Sequence, residues 1–474
     1  MIVIKNFLYN VGYQILALVL PLITIPYVSR VLGVEGIGKY AFSYATTQYF
    51  CLVGMLGISI YGSRKIAEVK SSNLEVSKTF FEIYKLQILA SLSSFVVYFL
   101  IFVHNNDFIY FAQSLFVLSV VFDISWLYTG TEDFKKIVIR NTLVKIVGLI
   151  LIFLLVKDKN DLNIYSFILS GSMLIGQLSM WIGLRNKVTY VASNIKGEFL
   201  KHLKPAFMIF VPAIAISIYS ILDRTMLGII NGETDVAFYD QGQKIIRVAL
   251  SIIPALSVVM MPRISSLRIN KEYKLANKYL EKSFLFTSII SIAMAFGLVG
   301  ISKEFVPLFY GPQYLPVVDV FYLSSWIIIA IGIANVFGIQ YLIAMNQENK
   351  YTVSVTVAAI CNFVLNLILL PKLGYKGACV STLIAEIIGV VIQVYYVRKE
   401  LDVRKMFEPY FKLLLSGIFM LFVVRIVGNL NGIGILTLII QIISGISVYM
   451  TLIFILGVVD YKKIIRLIRT REPY

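Results

Sequence analysis

Pro21-Leu-Ile-Thr-Ile-Pro26 leads through Val31-Leu-Gly33 and an acid-bearing turn into Tyr40-Ala-Phe-Ser43. Far along the chain, Val211-Pro212-Ala-Ile-Ala-Ile216 leads through Met226-Leu-Gly228 and an acidic turn into Ala237-Phe-Tyr239. These are two apolar hairpins of like design. A second pair of matches lies the same number of helices apart. Leu127-Tyr-Thr-Gly-Thr-Glu-Asp-Phe-Lys135 and Leu342-Ile-Ala-Met-Asn-Gln-Glu-Asn-Lys350 are both apolar runs closing on an acid, with lysine two residues later. Self-similarity at a fixed offset is the signature of a duplicated architecture.

Outward from these hairpins the chain is nearly all apolar. Of 474 residues 58% are hydrophobic and 15% charged, against roughly 45–50% and about 25% in soluble domains. Mean hydropathy is +0.83. That composition excludes a disordered chain, a disulfide scaffold and an ordinary soluble enzyme. Short polar loops divide the sequence into fourteen predicted helices, at 8–29, 40–61, 80–103, 108–129, 139–156, 163–184, 205–229, 239–261, 283–302, 317–341, 352–370, 377–397, 409–429 and 434–457. Each is long enough to cross a hydrocarbon core of about 30 Å. The run after Lys5, Phe7–Val28, is too long for a signal sequence and no small-residue cleavage site follows it, so it reads as the first span. The fold class is therefore an all-α integral membrane protein.

The matched hairpins lie six helices apart, an even number, so both copies share one orientation. The repeat is parallel, about an axis along the membrane normal. The expected domains are an N-lobe over 1–204, a C-lobe over 205–408, and two further helices with a tail over 409–474.

The net charge of +17 follows topology. An even helix count puts both termini on one side, and that side holds 29 of the 43 lysines and arginines against seven in the opposite loops. The positive-inside rule makes the richer side cytoplasmic. The basicity is then mainly orientation, with attraction to anionic lipid, and no nucleic-acid partner is expected. No outer loop has room for a soluble domain.

Several motifs fail. Cys51, Cys361 and Cys379 lie in apolar runs without metal spacing, and His104 and His202 are isolated, so no metal or cofactor is expected. Gly33-Val-Glu-Gly-Ile-Gly38-Lys39 fits most of a phosphate loop but places Tyr40 where a Ser or Thr would hold Mg²⁺, and it joins two membrane helices. It reads as a turn. Acidic catalytic pairs in outer loops are missing, which argues against a membrane transferase or polymerase.

Ionisable groups at membrane depth are costly and usually face a cavity or a partner. On the eighth helix Asp240, Lys244, Arg247, Ser251 and Pro254 share one face, and Arg247 lies about 12 Å below the outer end at 1.5 Å per residue. The seventh helix adds Asp223 and Arg224 beside a short turn. A cationic patch of this kind suits a diphosphate, Arg by its forked donors and Lys as a point charge. Arg224 and Lys244 could equally snorkel to the interface with Asp223 and Asp240 as local partners. Gln87, Ser91, Ser94 and Tyr98 form a polar stripe on the third helix, and Thr382, Glu386, Gly389 and Gln393 form one on the twelfth. Such stripes either line a cavity or join helices. Asp123 and Lys145 lie in the inner half, where they could pair. Pro21, Pro26, Pro212 and Pro254 would kink their helices.

Three further patterns are Asn362-x3-Asn366-x4-Pro371-x2-Gly374-x2-Gly377-Ala378, Trp126-Leu-Tyr-x-Gly130-x-Glu132-x-Phe134-Lys135 and Leu222-Asp223-Arg224-x-Met226-Leu-Gly228. With fourteen spans and a 6+6+2 plan, the chain resembles the oligosaccharide flippases of polysaccharide biosynthesis, in the multidrug/oligosaccharidyl-lipid/polysaccharide exporter superfamily. The resemblance implies an undecaprenyl-diphosphate-linked oligosaccharide carried from the inner to the outer leaflet of the cytoplasmic membrane by alternating access. Arg30, Arg224, Lys244 and Arg247 would bind the diphosphate. Gln87, Tyr98, Tyr219 and Glu386 would meet sugars, and Asp123, Asp223 and Asp240 are candidates for ion coupling. The expected partners are the lipid-linked substrate, membrane lipids, and the polysaccharide polymerase and export machinery, with the protein itself a monomer. The alternatives are a cation-coupled multidrug exporter and a lipid II flippase.

Overall fold

The computed structural model describes residues 2–104, 107–189 and 198–458. Among them there is no strand. In lipid each backbone polar group needs a partner within the chain, and helices supply one locally. All fourteen predicted spans are helical, and we number them α1 to α14. One helical stretch, Ile2–Met55, holds both α1 (2–32) and the first part of α2 (34–55). It is divided by Gly33 at φ 71°, ψ −174°, a conformation open to a residue without Cβ. α2 resumes as Ile58–Val69. α3 is Asn73–Tyr98, widening to a π-turn at Phe99–Val103. α4 is Phe108–Val121 with Ser125–Gly130. Then follow α5 (Phe134–Leu155), α6 (Leu162–Ser179), α7 (Glu198–Asn231), and α8 as Glu233–Leu250 with Ile252–Ile269. α9 is Tyr273–Phe309, and α10 is Val317–Ser324, Ile327–Ala334 and the π-helix Asn335–Ile343. α11 (Glu348–Leu373), α12 (Tyr375–Val397), α13 (Tyr410–Asn431) and α14 (Ile435–Ile455) complete the chain.

The phosphate-loop look-alike is smaller than a loop. Only Gly33 leaves the helix; Gly36 and Gly38 are helical. A Cβ on Gly38 would stand 1.9 Å from the Glu233 carbonyl oxygen, so this glycine lets α2 meet the start of α8. Lys39 pairs with Asp107 at 3.0 Å.

Two compact units result, Met1–Ala237 and Phe238–Tyr474. In the first, one core gathers Ile58, Phe80, Ile83, Trp126 and Leu127, and another gathers Val28, Leu32, Ile37, Ile152 and Ile168. In the second, Phe284, Phe337 and Leu342 form one core, and Ile292, Phe296, Met420, Val424 and Tyr449 another. Large apolar side chains such as Leu100, Ile182, Ile269 and Leu430 stand exposed, as lipid-facing side chains do. This is a multi-pass membrane protein.

The ends of α4 and α10 are capped alike. α4 closes with Glu132 left-handed (φ 60°) and the Asp133 N–H on the Tyr128 carbonyl at 2.8 Å. α10 closes with Asn346 left-handed (φ 54°) and the Gln347 N–H on the Leu342 carbonyl at 2.8 Å. Both have the six-to-one bond of a Schellman cap. The caps equate Asp133 with Gln347 and Lys136 with Lys350, one residue out of step with the match read from the acid and lysine.

α4 is broken at 122–124, and the freed carbonyls are recaptured. The Gln87 amide donates to Val120 and Asp123, each at 2.8 Å, and the Trp181 indole donates to Phe122 at 3.0 Å. α8 breaks at Ser251, where Pro254 has no N–H to continue the ladder.

Between α12 and α13, Glu400 accepts the Tyr341 hydroxyl at 2.8 Å and the Gln347 amide, and faces Lys350 at 3.5 Å. Burial pushes its carboxyl up, but the bonds from Tyr341 and Gln347 and the Lys350 charge outweigh that and hold it below its ordinary value. A depressed carboxylate stabilises the fold above its unfolded range and loses that contribution as protons are added. The melting temperature should therefore fall as pH drops below about 4.3. Glu400→Gln should lower it at neutral pH and flatten that acid limb; an unchanged limb in the variant would show that Glu400 is not the titrating group.

Candidate functional site

The basic residues are positioned by close helix contacts within each unit. In the first unit, Gly228 lies against the Phe42 ring, where a Cβ would come within 2.1 Å. That contact fixes α7 on α2. The Thr225 hydroxyl shares a hydrogen bond with Tyr49 at 3.2 Å, and the neighbouring Asp223 and Arg224 are both buried. Arg30 is exposed on α1, three residues before the Gly33 break. The side chain of Tyr219 lies outside the described residues.

In the second unit, α8 is held at three points. Gly242 admits Val320, Gln243 donates to Ser324 at 3.1 Å, and the Tyr310 hydroxyl donates to the Gln241 carbonyl at 2.8 Å. Lys244 pairs with buried Asp240 one turn earlier at 2.8 Å. Of the candidates for ion coupling, Asp240 thus has a cation on its own helix. Arg247 is exposed and stands in the last turn of the Glu233–Leu250 segment, where the helix dipole favours a cation.

The twelfth-helix stripe joins α11 to α12. Thr382 reaches Tyr239 at 3.3 Å and the Asn362 amide at 3.4 Å, and Asn366 donates to Asn362 at 3.3 Å. Gln393 donates to Ser354 at 3.1 Å. Glu386 is half-buried.

Two of the residues expected to meet sugars are bonded inside the bundle. Gln87 is fully buried; its amide donates to the broken α4 and its oxygen accepts the Trp126 indole at 2.8 Å. Tyr98 is fully buried, donating to the Tyr110 carbonyl at 3.1 Å beside Thr47. Backbone carbonyls and neighbouring side chains inside the bundle bond the polar groups of both.

Asp123 and Lys145 both line a cavity of about 550 Å³ inside the first unit. Asp123 Oδ1 accepts the Ser125 N–H at 2.9 Å. The same walls carry Arg140, Asn141 and Gln177, none of them singled out from the sequence. Arg140 lies at the start of the predicted span 139–156, and the helix begins earlier, at Phe134, which sets this arginine a turn and a half inside it. No group of three or more His, Cys, Asp or Glu that could hold a metal occurs among the described residues.

Comparison with known proteins gives a consistent result. The family described as polysaccharide biosynthesis protein matches residues 3–268. A provisionally named O-antigen transporter of Escherichia coli (strain K12) is 26% identical over 413 residues, covering 83% of this chain and 96% of its own. Among solved structures, the lipid II flippase MurJ in an inward closed conformation superposes with a TM-score of 0.78 at 19% identity, over 97% of this chain and 100% of its own. An inward-facing multidrug resistance MATE family transporter of the MOP superfamily superposes with a TM-score of 0.59 at 11% identity, over 82% of this chain and 96% of its own.

Proposed function

Because the chain belongs to the polysaccharide biosynthesis protein family, we propose that it is a flippase for undecaprenyl-diphosphate-linked oligosaccharide repeat units. It carries them from the inner to the outer leaflet by alternating access, for capsule, O-antigen or exopolysaccharide assembly. The observation that carries this reading is the similarity to an O-antigen transporter over nearly its whole length. The protein is a transporter, not an enzyme. It sits in the cytoplasmic membrane with both termini cytoplasmic, as the bias in lysine and arginine supports. It works as a monomer and passes its product to a polymerase and export machinery.

Each unit brings its own basic groups, Arg30 and Arg224 in the first and Lys244 and Arg247 in the second. Guanidinium and ammonium groups are the natural ligands of a diphosphate. Glu386 and Tyr219 meet sugars, and Asp123 and Asp223 are the groups for ion coupling. The lipid tail stays in the bilayer, so only the polar head has to leave water.

Deletion of the gene tests the reading. Loss of surface polysaccharide with viable cells and accumulated lipid-linked repeat units is expected. Drug sensitivity with intact polysaccharide would overturn it in favour of a multidrug exporter, and cell-wall arrest in favour of lipid II. Arg247→Ala should abolish export while the protein still inserts at wild-type levels; normal export would remove Arg247 from the diphosphate ligands.

A further inference from the structure

Inside the first unit, α1, α2, α4, α5 and α6 bound a cavity of about 550 Å³, within the size range of small-ligand sites. Its charged groups are engaged by the protein itself. Arg140 and Lys145 both have partners within the chain, and Asp123 Oδ1 accepts the Ser125 N–H at 2.9 Å. Some neutral groups on the walls are engaged too: Ser170 donates to the Ala112 carbonyl at 2.6 Å, and Gln113 is bonded to Ser43 and Thr47. Two neutral atoms are left over. Gln177 Oε1 and Ser166 Oγ are buried without a hydrogen-bond partner, in residues 2% and 0% exposed. A buried polar atom without a partner is costly, so these two atoms mark where the polar groups of a ligand would go.

Their spacing sets the length of that ligand. Ser166 and Gln177 are eleven residues apart on α6. Three helical turns bring them back to one face, about 16 Å apart along the axis, which is longer than a single sugar ring. The two ends differ in character. Beside Gln177, Gly176 packs on Arg140, where a Cβ would lie 3.3 Å from the arginine Cδ, and the next residue of α5, half-buried Asn141, brings a second amide to the wall. Beside Ser166 the wall is aromatic: Tyr165 meets Tyr40 edge-on with ring centres 4.9 Å apart, and Tyr40 stacks on Tyr44 at 5.7 Å.

These features select a ligand class. A bare ion would fill little of the space. An anion has nothing to donate to Gln177 Oε1, which can only accept. An apolar molecule would leave both buried atoms unsatisfied. A neutral sugar chain brings hydroxyls, each a donor and an acceptor, to both levels of α6, and its apolar C–H faces suit the tyrosine rings. We propose that this cavity is a subsite for a neutral segment of the transported oligosaccharide, longer than one sugar residue. The assignment rests on the flippase reading for the source of the sugar but not for the binding chemistry.

The test uses the purified full-length protein in phospholipid nanodiscs, with maltotriose, cellotriose and tri-N-acetylchitotriose as neutral probes in equilibrium binding. Glucose and N-acetylglucosamine report on length, and trigalacturonate reports on charge. Saturable binding of at least one neutral trisaccharide is expected, about tenfold or more tighter than its monosaccharide or trigalacturonate, with a matching rise in melting temperature by mass action. Gln177→Leu and Ser166→Ala should each weaken that binding by about threefold to tenfold. Without ligand both variants should be as stable as the wild type or more so, because each removes a buried atom that has no partner. If Gln177→Leu does not fold, Ser166→Ala, the smaller change, reads the loss alone. No saturable trisaccharide binding would leave the cavity to water and overturn the subsite. Equal binding of monosaccharides or trigalacturonate, or unaffected variants, would overturn it as well. The two readings fail separately. A gene that restores export but whose product ignores every trisaccharide leaves the flippase without this subsite. Trisaccharide binding by a protein whose deletion leaves polysaccharide intact keeps the site and removes the flippase.

Discussion

Trp126→Ala is expected to destabilise the first unit by about 3–5 kcal/mol, the range for deleting a buried indole. Trp126 is among the largest fully buried side chains. Its ring stacks on Phe80 with centres 5.4 Å apart, and Gly62 approaches so closely that a Cβ there would lie 2.7 Å from the indole. Alanine would leave a void between α2, α3 and α4 that neighbouring helices cannot close without losing their own contacts. The indole N–H also holds the oxygen of Gln87, whose amide is committed to carbonyls of the broken α4. Losing it strands a buried acceptor. Trp126→Phe separates the two effects, because it keeps most of the volume and loses only the hydrogen bond, at about 1–3 kcal/mol. Thermal unfolding of both variants at one scan rate checks this. Equal melting temperatures for alanine and phenylalanine would show that packing contributes little here.

Gly38→Ala is expected to have the second largest effect, with a sign opposite to helix propensity. In an open helical position, alanine for glycine gains about 1 kcal/mol. At Gly38 the new methyl would sit 1.9 Å from the Glu233 carbonyl oxygen, 2.6 Å from its carbon and 3.4 Å from the Ala237 Cβ. These are mostly backbone atoms of a helix end, so they yield only if α2 and α8 move apart. Overpacking of this kind costs about 1–3 kcal/mol, and more where backbone must shift. Gly171, within α6, has nothing within 4 Å of its would-be Cβ, so Gly171→Ala should be neutral or mildly stabilising. Melting temperatures that move the same way in both variants would refute the close-approach argument.

The spans and the turns could be read from the sequence, because each depends on local composition: long apolar runs, short polar gaps, recurring turn residues. The phase of the repeat could not. The cap is set by which residue goes left-handed, Glu132 or Asn346, and the acid and lysine beside it are one step displaced. Polar stripes were readable as stripes, but not as to what they serve. Gln87 looks like a cavity group until the break in α4 is known, since only then does the bundle contain carbonyls that need it. Arg425 lies in α13 (Tyr410–Asn431). It holds buried Glu304 of α9 at 2.9 Å, with the Gln441 amide on the same oxygen at 3.1 Å. A pairing between residues so far apart in sequence leaves no periodic trace.

The wide turn of α10 has a consequence for how relatives of this chain are compared. In an α-helix, residues five apart point about 140° away from each other. In the π-helix Asn335–Ile343 the hydrogen bonds run to the fifth residue, and Asn335 and Gln340 both reach Ser257, with Gln340 at 2.9 Å and also accepting from Ser283 at 2.5 Å. The segment therefore carries one residue more than its length requires. A related chain with an ordinary α-helix there would align with a single-residue gap inside a span, where no loop could absorb it. Such a gap would report a lost wide turn and a dissolved Ser257–Asn335–Gln340 knot, not a mistake in the alignment.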